Sequence, residues 1–252
     1  MSQSFHDPHV RRLSYDQTFG QGPGVVFLGG FKSDKEGTKA VYLEEWAQRR
    51  NRSFLRFDYS GHGTSSGEFT DGCISDWFED AAAIIAHLTE GPQILVGSSM
   101  GGWISLLLAR EFPLLVAGLV TTAAAPDFTE DRIWNRMSEG DRETLMAEGQ
   151  IEQPSDYSED PYIITKHLIE DGRSNLVLNQ PLSLPFPVRF LQGTADADVA
   201  PSVPTRLLDH VSGEDIRLTL VKGADHRFSN PECLAMIVHA IEDVTARAGG
   251  YV

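Results

Sequence analysis

Short apolar runs alternate with amphipathic stretches along most of this chain. "GVVFLGG" (24–30) is a compact apolar run closed by glycines, the pattern of a buried strand. "TKAVYLEEWAQRR" (38–50) then places Val41, Leu43 and Trp46 at helical spacing. "SFLRFDYSGHG" reads as a second strand and a glycine-rich turn, and "ISDWFEDAAAIIAHL" (74–88) as a strongly amphipathic helix. "QILVG" (93–97) predicts a strand, "GWISLLLARE" (102–111) a helix, and "LLVAGLVTTAAA" (114–125) a further strand, with a helix the alternative that periodicity alone leaves open. Alternation of this kind predicts a mostly parallel sheet covered by helices on both faces, a doubly wound α/β fold.

The rhythm breaks at Pro126. Residues 127–185 are polar, acidic and mostly helical in pattern, with "DRETLMAEG" and "YIITKHLIEDG" as candidate helices. It resumes with a strand at "PVRFLQG" (187–193), a helix near "VPTRLLDHV" (203–211), a strand at "DIRLTLVKG" (215–223) and a last helix from Pro231. Residues 1–126 and 186–252 are therefore expected to form the core, with 127–185 inserted above it as a helical lid.

The chain has 252 residues, 41% hydrophobic and 23% charged, enough for one large α/β domain. A net charge of −15 would repel a phosphate backbone, which excludes nucleic acid as the expected partner. Cys73 and Cys233 stand far apart with no zinc-like spacing, so free thiols and no metal are expected. No long apolar span or secretory leader is legible, which predicts a cytoplasmic protein without stable membrane insertion. Oligomeric state is not legible.

"VGSSMGG" (96–102) holds two serines. Gly97, Ser99 and Gly101 fit G-x-S-x-G, whereas Ser98 has Val96 and Met100 at those offsets. A chance match in a chain of this length has odds of roughly one in ten. Its position between a predicted strand and a predicted helix is the context that a nucleophile elbow requires. Ser98 is expected to pack beneath. A serine needs a base. His226, in "KGADHRF", follows the last predicted strand, while His62, in "SGHGTSSG", is the rival and reads as part of a structural turn. His87, His210, His239, His167, His6 and His9 fall in helices, the insertion or the N-terminal tail. The acid should follow the penultimate strand, where "FLQGTADADVAP" offers Asp196 and then Asp198, with Asp127 a distant third. An oxyanion would be met by the Met100 N–H and by the Phe31 N–H in "LGGFKSD", where Gly29 and Gly30 allow close approach.

With these residues placed, the chain resembles the α/β-hydrolase superfamily. Within it, the resemblance is to the serine hydrolases that include the mitochondrial palmitoyl-protein thioesterase, also described as an acyl-glucuronide esterase. "GTKA", "RFDYSGHGTSSGE", "GPQILVGSSMGGW", "PSDYSED" and "DHRF" carry it. The resemblance implies Ser99, Asp196 and His226 as a triad. It also implies hydrolysis of acyl esters or thioesters, on a small-molecule or S-acylated substrate, without a cofactor. "LGGF" has Gly29 where many relatives have His, and Ala200 stands where the superfamily often has Pro. Acyl transfer or C–C hydrolysis on the same groups, or a silent binding fold, are the alternatives. Ile133, Trp134, Met137, Leu145, Met146 and Tyr162 are the candidate lid residues for an acyl pocket, and Trp103 reads as core. The acidic lid is expected to disfavour a strongly anionic leaving group.

Overall fold

The computed structural model describes residues 3–6, 11–154 and 161–248. All but the proline of "PSDYSED" lies outside them. The chain opens with β1 (Gln3–His6) and β2 (Arg12–Thr18), an antiparallel pair where the sequence reads as a tail. Only Leu13 and Tyr15 of β2 are apolar, too few to mark a strand by periodicity, yet Leu13 is fully buried. Then come β3 (Gln21–Leu28), α1 (Thr38–Arg49), β4 (Arg52–Phe57), α2 (Ile74–Leu88), β5 (Gln93–Ser98), α3 (Met100–Glu111) and β6 (Val116–Thr122). Each falls on a segment that the hydrophobic pattern predicts.

The segment after β6 is less helical than its sequence reads. A π turn (Thr129–Ile133) and α4 (Glu139–Glu148) lead into an antiparallel hairpin of β7 (Gln150–Gln153) and β8 (Tyr162–Thr165). "YIITKHLIEDG" is thus split, its first four residues being strand and the rest α5 (Lys166–Ser174). The aromatic and β-branched side chains of Tyr162–Thr165 favour the strand. Thr165 then starts the helix, its hydroxyl accepting the Leu168 N–H at 3.1 Å. The chain continues through β9 (Leu182–Ser183), β10 (Val188–Gly193), α6 (Ser202–His210), β11 (Val211–Ser212), β12 (Ile216–Val221) and α7 (Pro231–Ala248).

Eight strands form one sheet in the order β1-β2-β4-β3-β5-β6-β10-β12. β1 and β2 run antiparallel to their neighbours, and every other pairing is parallel. The central strands are apolar on both faces because helices cover both. In β3, Val25 and Phe27 face α1 and α7, while Val26 and Leu28 face the side of α2 and α3. α7 shows the matching helical period, burying Leu234, Ile237, Ile241 and Val244.

This topology decides where a ligand can bind. β3 and β5 are adjacent, yet β3 leads into α1 on one face and β5 into α3 on the other. The two connections diverge and leave a crevice at the carboxyl ends of these strands, the topological switch point. Polar contacts draw the two ends of the segment from Asp127 to Ser183 together and tie it to α3 beside this crevice. The Asp127 carboxylate accepts the Val177 and Leu178 N–H groups at 2.8 and 3.0 Å, and the Trp103 indole donates to the Asn175 carbonyl at 3.0 Å. Among the described residues no helix is long and apolar enough to cross a membrane.

Close approach of α3 to β3 requires a glycine at 101. A Cβ there would lie 2.1 Å from the Leu28 carbonyl oxygen and 2.6 Å from that of Gly29. Both obstacles are backbone, so Gly101→Ala is expected to destabilise the fold by about 3 kcal/mol. Urea denaturation checks this, and an unchanged midpoint would contradict the packing described.

Candidate active site

Ser99 sits between β5 and α3 with φ 53° and ψ −116°. This backbone conformation is costly for a side chain with a Cβ and persists only where the surroundings impose it. Here three backbone hydrogen bonds do so. The Ser99 N–H donates to the Thr122 carbonyl at 3.0 Å, and its own carbonyl accepts from Gly102 at 2.9 Å and Ala125 at 3.1 Å. A Cβ on Gly97 would lie 2.4 Å from the Gly101 carbonyl oxygen, so the turn closes only with glycine there. Ser98 is buried at the end of β5.

His226 reaches this serine from the far end of the sheet. It lies in the loop between β12 and α7, and its Nε2 is 3.1 Å from Ser99 Oγ. Behind it the fully buried Phe228 anchors the loop in the core, and the Lys39 ammonium donates to the Arg227 carbonyl.

Asp196 completes the hydrogen-bond chain. His226 Nδ1 is 2.9 Å from Oδ2 and 3.1 Å from Oδ1 of its carboxylate. The Gln192 amide donates to Oδ2 at 2.8 Å, and the Asp198 and Val199 N–H groups donate to Oδ1, each at 2.8 Å. Burial by itself would raise this carboxyl. The hydrogen bond and charge of His226, with the Val199 and Gln192 donors, outweigh it and hold Asp196 below the usual carboxylate range. Gln192 is the residue that the sequence reading missed. A lone glutamine ending a buried apolar strand, four residues before the aspartate, was the available signal.

The rival groups are engaged elsewhere. Asp198 is buried and pairs with Arg132 of the π turn. Asp127 holds the backbone of residues 177 and 178. His62 has both ring nitrogens committed, Nδ1 to the Ser60 carbonyl at 3.0 Å and Nε2 to the Lys32 N–H at 3.2 Å. Neither nitrogen is left to take a proton from Ser99.

On the other side of Ser99 runs the loop after β3. A Cβ on Gly30 would come within 3.4 Å of Ser99 Cβ, whereas one on Gly29 would meet nothing within 4 Å. Gly30 thus borders Ser99 at ordinary van der Waals distance, and Gly29 is not needed for the approach. Met100 is the first residue of α3, where an N–H has no intrahelical acceptor. Phe31 N–H and Met100 N–H are the donors that the sequence reading nominated, and both belong to the two segments that flank Ser99.

A cleft of about 330 Å³ opens over Ser99 and His226. Phe31, Phe128, Ile133, Tyr162 and Ile164 supply its apolar wall. Of the six lid residues nominated from sequence, Ile133 and Tyr162 line it. Leu145 and Met137 are buried in the core cluster, Met146 is exposed, and Trp134 is flanked by the Arg142 and Arg173 guanidinium groups. Helical periodicity marks a buried face but not what it is buried against. The charge of the cleft also differs from expectation. Among the described residues its lining carries Lys32, Lys39, Arg132 and Arg227 against Asp198.

Two groups of potential ligand atoms are already occupied by protein contacts. Asp196, Asp198 and His226 form the network just described. In the cluster Cys73, Asp76 and His167, the thiol donates to Asp76 at 3.0 Å, and burial pushes it far above the range in which a thiolate forms. Cys73 and Cys233 are both free and buried.

The profile of the serine aminopeptidase S33 family (Hydrolase_4) matches residues 25–231. The chain belongs to this family of α/β-hydrolases. It is a hydrolase, and its relatives share nearly its whole length. The bovine mitochondrial palmitoyl-protein thioesterase ABHD10 is 34% identical over 238 residues, which is 94% of this chain and 78% of that protein. A putative hydrolase from Agrobacterium vitis S4 superposes with a TM-score of 0.93 at 38% identity, covering 97% and 98% of the two chains. The mouse α/β-hydrolase domain-containing protein 10 gives 0.89 at 30% identity over 96% and 97%.

Burial pushes the His62 imidazole down to about 4, with the Ser60 carbonyl opposing, against 6.5 for an ordinary histidine. The unfolded chain therefore binds more protons between those values, and stability falls as pH drops through that window. Between about pH 7 and about pH 5 the loss traceable to His62 is about 2 kcal/mol. Urea unfolding at both values should show the native protein losing that much more than His62→Gln. Equal losses would contradict a buried neutral imidazole.

Proposed function

We propose that this hydrolase cleaves acyl esters or thioesters through a Ser99–His226–Asp196 triad and an acyl-enzyme. The observation that carries this reading is the continuous hydrogen-bond chain from Ser99 Oγ to His226 Nε2 and from His226 Nδ1 to Asp196. In the first step His226 Nε2 takes the hydroxyl proton as Oγ attacks the acyl carbon. Asp196 holds the ring with its proton on Nδ1 and stabilises the imidazolium. Negative charge gathers on the former carbonyl oxygen, where the Phe31 and Met100 N–H groups are the assigned donors. The imidazolium then protonates the departing alkoxide or thiolate. A water, deprotonated by the same nitrogen, attacks the acyl-serine and releases the carboxylic acid. Every proton and every nucleophile in this cycle comes from a side chain or from water, so the chemistry calls for no cofactor.

The thioesterase name of the bovine relative supports the thioester half of the reading. The cleft volume, at the low end of small-molecule sites, supports a compact acyl group held by Phe31, Phe128 and Ile133. The cationic lining removes the electrostatic objection to anionic leaving groups that the acidic composition raised.

Ser99→Ala should lose turnover of p-nitrophenyl acetate by at least about a thousandfold and abolish labelling by a fluorophosphonate. Retained turnover in that variant would remove the mechanism. Asp196→Asn should lower kcat by roughly three to four orders of magnitude, because it favours the wrong tautomer, with a far smaller loss in Asp198→Asn. In a series of acetyl, butyryl, octanoyl and palmitoyl esters, kcat/KM should peak before palmitoyl. A monotonic rise to palmitoyl would contradict the compact acyl site.

A further inference from the structure

"RFDYSGHGTSSGE" supplies no member of the Ser99 hydrogen-bond chain, yet it lies against the loop that follows β3. His62 is 4% exposed and packs edge-on against the rings of Tyr59, Phe69 and Trp77. A carbonyl oxygen only accepts, so the Ser60 contact places the ring hydrogen on Nδ1. Nε2 is then the acceptor of the Lys32 N–H. Ser60 is itself fixed. Its N–H and hydroxyl both donate to one oxygen of the buried Asp80 at 2.7 Å, and its carbonyl also takes the Trp77 indole N–H at 3.2 Å.

A second tether lies beside the first. Asp58 accepts the Lys35 N–H at 2.6 Å and the Thr64 N–H at 3.0 Å. A Cβ on Gly63 would lie 2.3 Å from the Asp58 carboxylate, which explains the glycine that follows His62. The loop after β3 thus hangs from two acceptors, His62 Nε2 for the N–H of residue 32 and Asp58 for that of residue 35. Lys32 keeps φ 56°, a left-handed conformation that a lysine adopts only under constraint.

We propose that His62, seconded by Asp58, is a positioning residue that sets the Phe31 N–H against the acyl oxygen over Ser99. This rests on the reading of Phe31 as an oxyanion donor given above. Without the acceptor at Nε2, Lys32 relaxes toward negative φ and the adjoining peptides rotate, Phe31 among them. His62 acts through the loop and touches no substrate. A neutral ring is required for accepting, and the burial of His62 keeps it neutral at ordinary pH.

His62→Phe keeps the ring packing and removes the acceptor, whereas His62→Gln restores an acceptor oxygen. With thermal midpoints recorded for both, His62→Phe should lower kcat for p-nitrophenyl acetate by roughly ten- to hundredfold while KM stays within about twofold. Fluorophosphonate labelling of Ser99 should slow in parallel, since the phosphonyl oxygen uses the same donors. His62→Gln should return to within about threefold of the native kcat. A folded His62→Phe protein with native kcat overturns the proposal, as does a His62→Gln protein no better than His62→Phe. Nitrogen NMR of the native protein gives an independent check if His62→Phe fails to fold. The non-protonated nitrogen of His62 must be Nε2, and finding the hydrogen there overturns the proposal. Native protein that fluorophosphonate leaves unlabelled at Ser99 removes the hydrolase mechanism itself, and this proposal with it. Native labelling with His62→Phe labelled equally fast removes the positioning role alone.

Discussion

Ser99 holds a backbone conformation that its side chain disfavours, and three backbone hydrogen bonds together with Gly97 and Gly101 enforce it. Much of the site follows from that constraint. The conformation turns the chain from β5 straight into α3 and lets α3 press against the carboxyl end of β3. The same turn leaves the serine at the switch point between β3 and β5, where the loop after β3 passes and a crevice is open. Strain at residue 99 is therefore borne by the centre of the sheet, where these backbone contacts over-determine the turn.

The two aspartates after β10 show how environment divides like residues between roles. They are two positions apart and equally buried, at 8% exposure each. Asp196 gathers donors from Gln192, Asp198, Val199 and His226 and remains ionised behind the imidazole. Asp198 turns toward Arg132 and ties the π turn of the insertion to the acid loop. One pair of residues thus orients the base and fastens one wall of the cleft.

Net charge is a poor guide to this site. The chain carries −15 overall, but the cleft is lined by four cations and one described carboxylate. Among the described residues no acidic side chain of the insertion lines the cleft, while the core contributes Lys32, Lys39 and Arg227 to it. A ligand in the cleft meets local charge more strongly than distant surface charge, which solvent and salt screen.

Much of the fold was legible because its signals are local. Apolar runs, helical periodicity and the glycines at 97 and 101 reflect sterics within a few residues, and they mark the central strands, the flanking helices and the turn at Ser99. Chain order and loop position then nominated His226 and Asp196. The N-terminal pair β1 and β2 left little trace because pairing with β4, rather than an apolar pattern, holds β2 in place. The β7–β8 hairpin was masked by a helix-like spacing that continues into α5. Gln192 as a donor to Asp196 left only the faint mark of a glutamine near the end of an apolar strand, and the commitment of both His62 nitrogens and the cationic lining of the cleft left none. Each depends on a partner brought close by folding, and hydrogen-bond geometry and burial have no periodicity along a chain. The linear order of residues determined which groups could meet; the packed sheet and the segments at its carboxyl edge decided which of them do.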